Sequence, residues 1–166
     1  RKLGYHIATT AFGRAIQGQD LISRREEIFR YLEHLWRPPS PAIEKHFTRH
    51  TQAFDELMER MRKDTDLRFL DGAIFEKLKP AFLPEPSVQQ RRSGFYLLNS
   101  LIMLMENVFL DLNLEEDQDH PHNEGWINIF QQWAQNPELR AVWDKTKETY
   151  GERFRRFCES ELKLPY

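Results

Sequence analysis

Two pairs of histidines are the residues of this chain whose types and spacing best suit a metal ion. His46 and His50 are four residues apart, which places both rings on one face of a helix. Such a pair binds zinc or iron when further ligands come from elsewhere in the chain. Three further ligands in the segment 111–124 would complete the site: His120, His122 and Glu124. One interpretation is therefore a metal-binding helical protein that uses this pair and the acidic, histidine-containing loop.

The same histidines also have a simpler explanation. His50 falls on an apolar stripe, where a hydrogen-bonded core histidine is common, and His46 stands beside Lys45 as a surface residue would. The sequence HFTRH also lacks the glutamate of an HExxH metalloprotease. We therefore expect no cofactor, with a divalent metal ion as the alternative.

The segment that contains His120 and His122 is strongly acidic. No lysine or arginine occurs from Ser93 to Leu139, whereas eight acidic residues do. Oxygen ligands alternate along 111–124 as in a calcium loop. However, an EF-hand needs glycine at the sixth position and a bidentate glutamate at the twelfth, where this chain has Glu116 and His122. The segment is not an EF-hand.

We expect this acidic segment to bind a protein partner, because exposed acids flanked by aromatic residues make a plausible docking edge. The predicted surface consists of Glu115, Glu116, Asp117 and Asp119 with a rim formed by Trp126 and Trp133. The preferred prediction for the whole chain is a non-catalytic interaction or regulatory domain.

Two polar residues, Glu106 and Asn107, interrupt a long apolar segment and are expected to be buried. A buried carboxylate must be paired, hydrogen-bonded or protonated. The arginines that could pair with Glu106 are Arg30, Arg49, Arg140 and Arg153. A structural ion pair is the simpler explanation. The alternative is a small-molecule sensor with an apolar pocket beside Glu106.

Composition excludes several classes of function. The 166 residues carry 24 basic and 26 acidic side chains, and the isoelectric point is 6.3. Without a basic stripe or a binding motif, the clusters at 91–92 and 153–156 do not predict nucleic-acid binding. No P-loop, GxGxxG or GxSxG motif is present. The single cysteine, Cys158, excludes an internal disulfide.

The elements that must position these residues are helices, because no alternating apolar and polar stretch is long enough for a strand. The first helix is predicted from about Tyr5 to Gln17 and the second from Ser23 to the Pro38–Pro39 pair. Ser40 caps the third helix, with Pro41 at its first position, and Asp64 ends it. A short fourth helix is expected from about Asp71 to Lys79, burying Ile74, Phe75 and Leu78.

The fifth helix, about 88–112, is predicted to be the centre of the fold. Ser87 and Gln90 form a capping box at its start, and the segment from Phe95 to Leu112 is apolar on most of its circumference. Its polar residues favour a buried helix over a membrane span. A polar loop follows to Gly125. The sixth region begins with a short amphipathic stretch, and a helix capped by Asn136 then runs past Gly151 to Leu162. The fold class is all-α, a single compact bundle of about six helices.

Residues 95–158 resemble helical domains of uncharacterised bacterial proteins, some of them attached to membranes. The resemblance rests on Leu98–Ser100, Met105–Asn107, Gly125–Trp126, Asn136–Trp143 and Tyr150–Phe154. It implies a helical, non-catalytic module. With no secretory signal visible, a cytoplasmic location is the expectation, and membrane association would need a segment before residue 1. Residues 1–166 are expected to form one helical domain, with a fragment of a longer polypeptide as the alternative.

Overall fold

The computed structural model describes residues 29, 30, 32, 33, 36, 38, 40–75, 85–118 and 120–166. The chain divides into two compact units, residues 1–39 and 40–166. Of the described residues, 82% are helical and none is in a strand. The predicted all-α class is therefore confirmed. The described residues 29, 30, 32, 33 and 36 are helical, whereas the first predicted helix lies outside the described residues.

Helix α1 (Pro41–Lys63) begins where its capping residues predict. The Ser40 hydroxyl accepts a 3.3 Å hydrogen bond from the backbone N–H of Ile43, and Pro41 needs no hydrogen-bond partner for its nitrogen. Asp64 leaves the helical conformation, and its carboxylate accepts a 3.0 Å hydrogen bond from the backbone N–H of Asp66. The apolar stripe predicted to contain His50 also includes Phe47, which is exposed, so this face of α1 is only partly covered.

The segment after α1 differs from the prediction. A 3₁₀ helix (Thr65–Leu70) leads directly into the one-turn helix α2 (Asp71–Ile74), and Phe75 is already extended. Ile74 is buried as expected, but Phe75 is exposed. The fourth helix, predicted from about Asp71 to Lys79, is therefore only one turn long and ends at Ile74. Residues 76–84, including Leu78, lie outside the described residues.

Helix α3 (Val88–Asp111) is the centre of the larger unit, as predicted. Both hydrogen bonds of its capping box are present: Ser87 N–H donates to Gln90 Oε1 and Gln90 N–H to Ser87 Oγ. The helix contacts α1 and the 3₁₀ helix before it, and three of the helices that follow it. By length and composition α3 could also cross a membrane, and half of its most apolar stretch is buried. A soluble core helix has the same properties.

The described residues of this unit contain four further α-helices: α4 (Leu114–Asp117), α5 (Glu124–Ala134), α6 (Pro137–Thr146) and α7 (Glu152–Leu162). Two of them correct the predictions. The expected loop after α3 contains α4, which follows Asn113 in the left-handed conformation (φ 51°). The expected continuous C-terminal helix is interrupted by a 3₁₀ turn (Lys147–Thr149) and by extended backbone at Tyr150 and Gly151. Gly151 therefore precedes α7 instead of lying inside a helix.

The core of this unit is aromatic. Side chains of α3, α5, α6 and α7 meet there, and the largest that are almost fully buried are Trp133, Trp143, Phe109, Phe130 and Phe154. Trp143 stacks on Tyr150, with ring centroids 5.7 Å apart, and its indole N–H donates a 2.7 Å hydrogen bond to the carbonyl oxygen of Pro165. Aromatic rings bury a large apolar area each, so these side chains supply much of the surface that folding removes from water.

Candidate metal centre

The candidate metal centre lies where the first half of α1 contacts the C-terminal end of α3. Ser40 and Pro41 set the start of α1, and His50 is one of its two buried residues. His46 and His50 follow one turn apart, and their rings are stacked with centroids 6.5 Å apart. Asp111 is the last residue of α3. Two histidines of one helix are thus joined by a carboxylate from another.

One carboxylate oxygen is the meeting point of this cluster. Asp111 Oδ2 lies 2.8 Å from His50 Nε2 and 3.6 Å from His46 Nδ1. These three atoms all lie within 4.8 Å of one another. Among the residues that the structure describes, no other group of three histidine, cysteine or carboxylate side chains brings its ligand atoms so close together.

Two of the three distances between the ligand atoms are close to those around a small metal ion. Bonds of about 2.0–2.1 Å at tetrahedral angles place neighbouring ligand atoms about 3.3 Å apart. The His50–Asp111 distance of 2.8 Å is below this value and the His46–Asp111 distance of 3.6 Å is above it. Three protein ligands would leave a fourth coordination position open.

Burial differs among the three ligands in a way that favours metal binding. The side chain of His50 is only 3% exposed, and burial lowers its pKa below 6.5, against the opposing hydrogen bond to Asp111. The guanidinium of Arg49 and the ring of His46 lower the pKa of His50 further. A neutral imidazole is the form that binds a metal. His46 Nδ1 is buried and has no hydrogen-bond partner.

Arg49 is a competitor for the same carboxylate. Its Nη2 forms a very short contact with Asp111 Oδ2, the oxygen that faces both histidines. The arginine side chain is 60% exposed, so it can turn into solvent without leaving a buried charge behind. A metal ion bound to Oδ2 would therefore displace a surface ion pair, and such pairs contribute little to stability.

The structure does not bring the other predicted ligands to this pair. His120 and His122 stack on each other with ring centroids 4.9 Å apart. The backbone N–H of His122 donates a hydrogen bond to His120 Nδ1. Buried Asn123 holds their turn to the end of α4, because its side chain donates to the carbonyl oxygen of Asp117. These two histidines and Glu124 belong to no cluster of three metal-ligand side chains among the described residues.

Asp111 is the ligand that sequence reasoning missed. It appeared as the first oxygen of a calcium-like run rather than as the end of the apolar helix. The sequence signal for Asp111 was its position at the end of the apolar helix. A carboxylate at the end of a central helix lies near the helices that pack around it. The sequence could not show which of those helices carries its partners.

The predicted protein-binding edge is not formed as expected. Trp126 and Trp133 are 7% and 0% exposed, so they belong to the core and provide no rim. Glu115 is exposed but receives two hydrogen bonds from Arg153, and Glu116 accepts one from Asn113. Asp117 is half-buried, and Asp119 lies outside the described residues. What remains is an acidic surface without aromatic side chains from this pair.

The predicted buried pair on α3 also needs correction. Asn107 is exposed and Glu106 is half-buried. Neither side chain is therefore buried in the core as predicted. Glu106 Oε1 accepts a 2.8 Å hydrogen bond from the backbone N–H of Gly151. Three of the four arginines proposed as its partners bind elsewhere: Arg49 to Asp111, Arg153 to Glu115, and Arg140 to two backbone carbonyls.

A pocket beside Glu106 is not seen among the described clefts. One open cleft of about 320 Å³ lies elsewhere, between α4 and α7. Charged and polar side chains dominate its lining, including Glu115, Arg156 and Glu159. Ligand sites for small molecules are usually lined mostly by apolar side chains. The sensor hypothesis stays a prediction without support from this cleft.

Comparisons with known proteins add no family to this description. No protein-family model, no curated protein and no solved structure matches the chain. The resemblance of residues 95–158 to bacterial helical domains therefore stays a prediction. The evidence for a function comes from the arrangement of His46, His50 and Asp111.

Proposed function

We propose that this chain is a metal-binding helical domain that holds one divalent transition-metal ion between α1 and α3. The ligands are His46 through Nδ1, His50 through Nε2 and Asp111 through Oδ2. The observation that carries the proposal is the convergence of these three atoms within 4.8 Å. Two imidazoles and one carboxylate suit zinc, iron or manganese, whereas calcium and magnesium prefer oxygen ligands alone.

The competing explanation is a polar clamp that joins two helices without a metal. Hydrogen bonds from Arg49 and His50 would satisfy the Asp111 carboxylate. That clamp leaves His46 Nδ1 buried with no partner, as the structure also leaves the indole nitrogens of Trp126 and Trp133. A metal ion gives all three side chains a role, which is why we favour it.

An interaction domain remains the second proposed function. The acidic residues Glu115 and Glu116 support it less than expected, since the neighbouring tryptophans are buried. A different feature favours it: the outer face of α3 exposes large apolar side chains. Exposed apolar patches on a folded protein often mark binding surfaces.

Metal content is the first test of the proposed site. The untagged full chain, purified without chelator, is expected to contain close to one equivalent of zinc, iron or manganese by mass spectrometry. The metal-free chain is expected to take up Co²⁺ with visible absorption bands of a nitrogen- and oxygen-ligated site. Bound metal should also raise the melting temperature, because the ion binds the folded chain preferentially.

Matched variants separate this site from adventitious binding. His46→Ala and Asp111→Asn are expected to weaken Co²⁺ binding at least tenfold, because each removes one of three ligands. The double variant His120→Ala/His122→Ala is the control and should bind as the wild type does. Circular dichroism establishes that each variant is folded. A metal-free wild type whose melting temperature is unchanged by excess Zn²⁺ and Co²⁺ would leave only the polar clamp.

A further inference from the structure

The outer face of α3 carries three large apolar side chains in a regular row. Tyr96, Met103 and Leu110 are 52%, 52% and 54% exposed, although they belong to the most buried helix of the unit. They are seven residues apart, so they lie on one side of the helix within a few tens of degrees. This 96–110 stripe is about 21 Å long, from the rise of 1.5 Å per residue.

The stripe is also almost free of charge. Between Ser93 and Leu110 the one charged residue is Glu106, and its carboxylate accepts a hydrogen bond from Gly151. The polar residues near the stripe are uncharged: Asn99, Ser100 and Asn107. Ser100 donates its hydroxyl to the carbonyl oxygen of Tyr96. A helix face that meets only water normally carries charged side chains.

We propose that the 96–110 stripe binds a second copy of this chain, with the two α3 helices antiparallel and the two-fold axis at Met103. Each Tyr96 then contacts Leu110 of the partner subunit, and the two Met103 side chains contact each other. Apolar side chains seven residues apart form a row almost parallel to the helix axis, so a second helix can lie along them. A surface that is complementary to itself gives a closed dimer.

The charges at the two ends of α3 select the antiparallel arrangement. Arg91 and Arg92 are exposed in the first turns of the helix, and Glu115 and Glu116 are exposed just beyond its last turn. In an antiparallel pair, Arg91 and Arg92 of one chain lie at the end of the interface where α3 of the other chain ends, on the side of Glu115 and Glu116 of the partner subunit. An antiparallel pair therefore brings opposite charges together, whereas a parallel pair brings like charges together.

The same charges argue against a lipid surface as the occupant. The segment that follows the stripe carries acidic residues and no basic ones as far as Leu139. Anionic lipid headgroups attract basic segments and repel acidic ones. A second copy offers both an apolar row and charges of the required sign, which a membrane does not.

The size of the contact sets the expected strength. Two helices that meet along about 21 Å bury less surface than a standard protein–protein interface. The dimer should therefore be weak, with a monomer–dimer equilibrium that depends on concentration in the micromolar range or above. The proposal does not depend on metal binding, because neither His46 nor Asp111 belongs to the stripe.

Mass as a function of concentration is the first test. Sedimentation equilibrium of the full chain should give a mass that rises from that of one chain towards that of two. Met103→Glu should abolish this rise, since it places two like charges on the axis. Gln135→Glu adds the same charge at another exposed position and should leave the dimer unchanged. A wild type that stays monomeric at high concentration would overturn the proposal.

Disulfide crosslinking tests the register. Met103→Cys should crosslink to itself under mild oxidation. A mixture of Tyr96→Cys and Leu110→Cys should crosslink to each other more than either does alone. Self-crosslinking of Tyr96→Cys as the dominant product would indicate a parallel pair and overturn the proposed axis. A monomeric chain that sediments with phosphatidylcholine vesicles, but not when it carries Met103→Glu, would replace the second copy by a membrane.

Discussion

Glu106 of α3 accepts a 2.8 Å hydrogen bond through Oε1 from the backbone N–H of Gly151, 45 residues later in the chain. Gly151 precedes the first residue of α7 and is extended (φ −61°, ψ 145°). The carboxylate therefore sits at the N-terminus of α7, where unpaired N–H groups and the helix dipole favour negative charge. A side chain of the central helix thus fixes where the last helix begins.

This contact predicts a loss of stability when Glu106 is altered. Glu106→Ala removes the acceptor and the charge and should lower the free energy of unfolding by about 1 kcal/mol or slightly more. Glu106→Gln keeps an acceptor oxygen and should lose less than half of that amount. Urea denaturation followed by circular dichroism measures both values. Equal losses for the two variants would mean that the charge, not the hydrogen bond, matters.

Arg49 is expected to weaken metal binding, because its guanidinium contacts the carboxylate oxygen that the metal needs. Arg49→Met should therefore increase the Co²⁺ affinity about two- to fivefold, the range of a surface ion pair. Arg62→Met is the matched control, since Arg62 is an exposed arginine of the same helix that pairs with Glu59. A Co²⁺ titration decides, and equal affinities of the two variants would contradict the competition.

Gly94 allows α3 to approach the 3₁₀ helix closely. A Cβ atom at this position would lie 2.6 Å from the ring of Phe69 and 3.3 Å from Leu70. Gly94→Ala should therefore destabilise the chain by about 1–3 kcal/mol, despite the better helix propensity of alanine. Gly125→Ala in α5 meets no atom within 4 Å and should be neutral or stabilising by up to about 1 kcal/mol. Thermal melts should give a lower melting temperature for Gly94→Ala and an unchanged or higher one for Gly125→Ala.

Burial raises the pKa of the Tyr150 phenol to about 12, and its hydroxyl donates a 3.0 Å hydrogen bond to Asn99 Oδ1. The folded chain therefore keeps this proton between pH 10 and 12, where an unfolded tyrosine loses it. Stability from Tyr150 should be complete below pH 10 and decrease as the pH rises towards 12. The stability of Tyr150→Phe should fall less over this range, which denaturation at matched pH values measures.

Cys158 should be inert in the folded chain. Its side chain is 0% exposed, and burial raises the pKa of its thiol, so little reactive thiolate is present. A chromogenic thiol reagent at pH 8 should label less than a tenth of the native chain and all of it in denaturant. Rapid labelling of the native chain would show that the end of α7 opens readily. The result also shows whether Cys158 must be replaced before crosslinking of the Met103→Cys variant can be interpreted.

The local pattern of the sequence determined the fold class and the beginnings of the main helices. Ser40 and Pro41, Ser87 and Gln90, and Asn136 and Pro137 each predict a helix start that the structure has. These signals are local, because a cap satisfies backbone N–H groups that lie two or three residues away. The apolar segment after Ser87 likewise predicted the central helix by its composition alone.

Tertiary packing alone decided which side chains face each other and which face water. The sequence could predict that His46 and His50 share a face, but only the crossing of α1 and α3 brings Asp111 to them. Trp126 and Trp133 are buried rather than at a rim, and Glu106 binds a backbone N–H rather than an arginine. Helical periodicity shows which residues share a side of one helix, whereas the partner of that side depends on contacts between residues that are far apart in the chain.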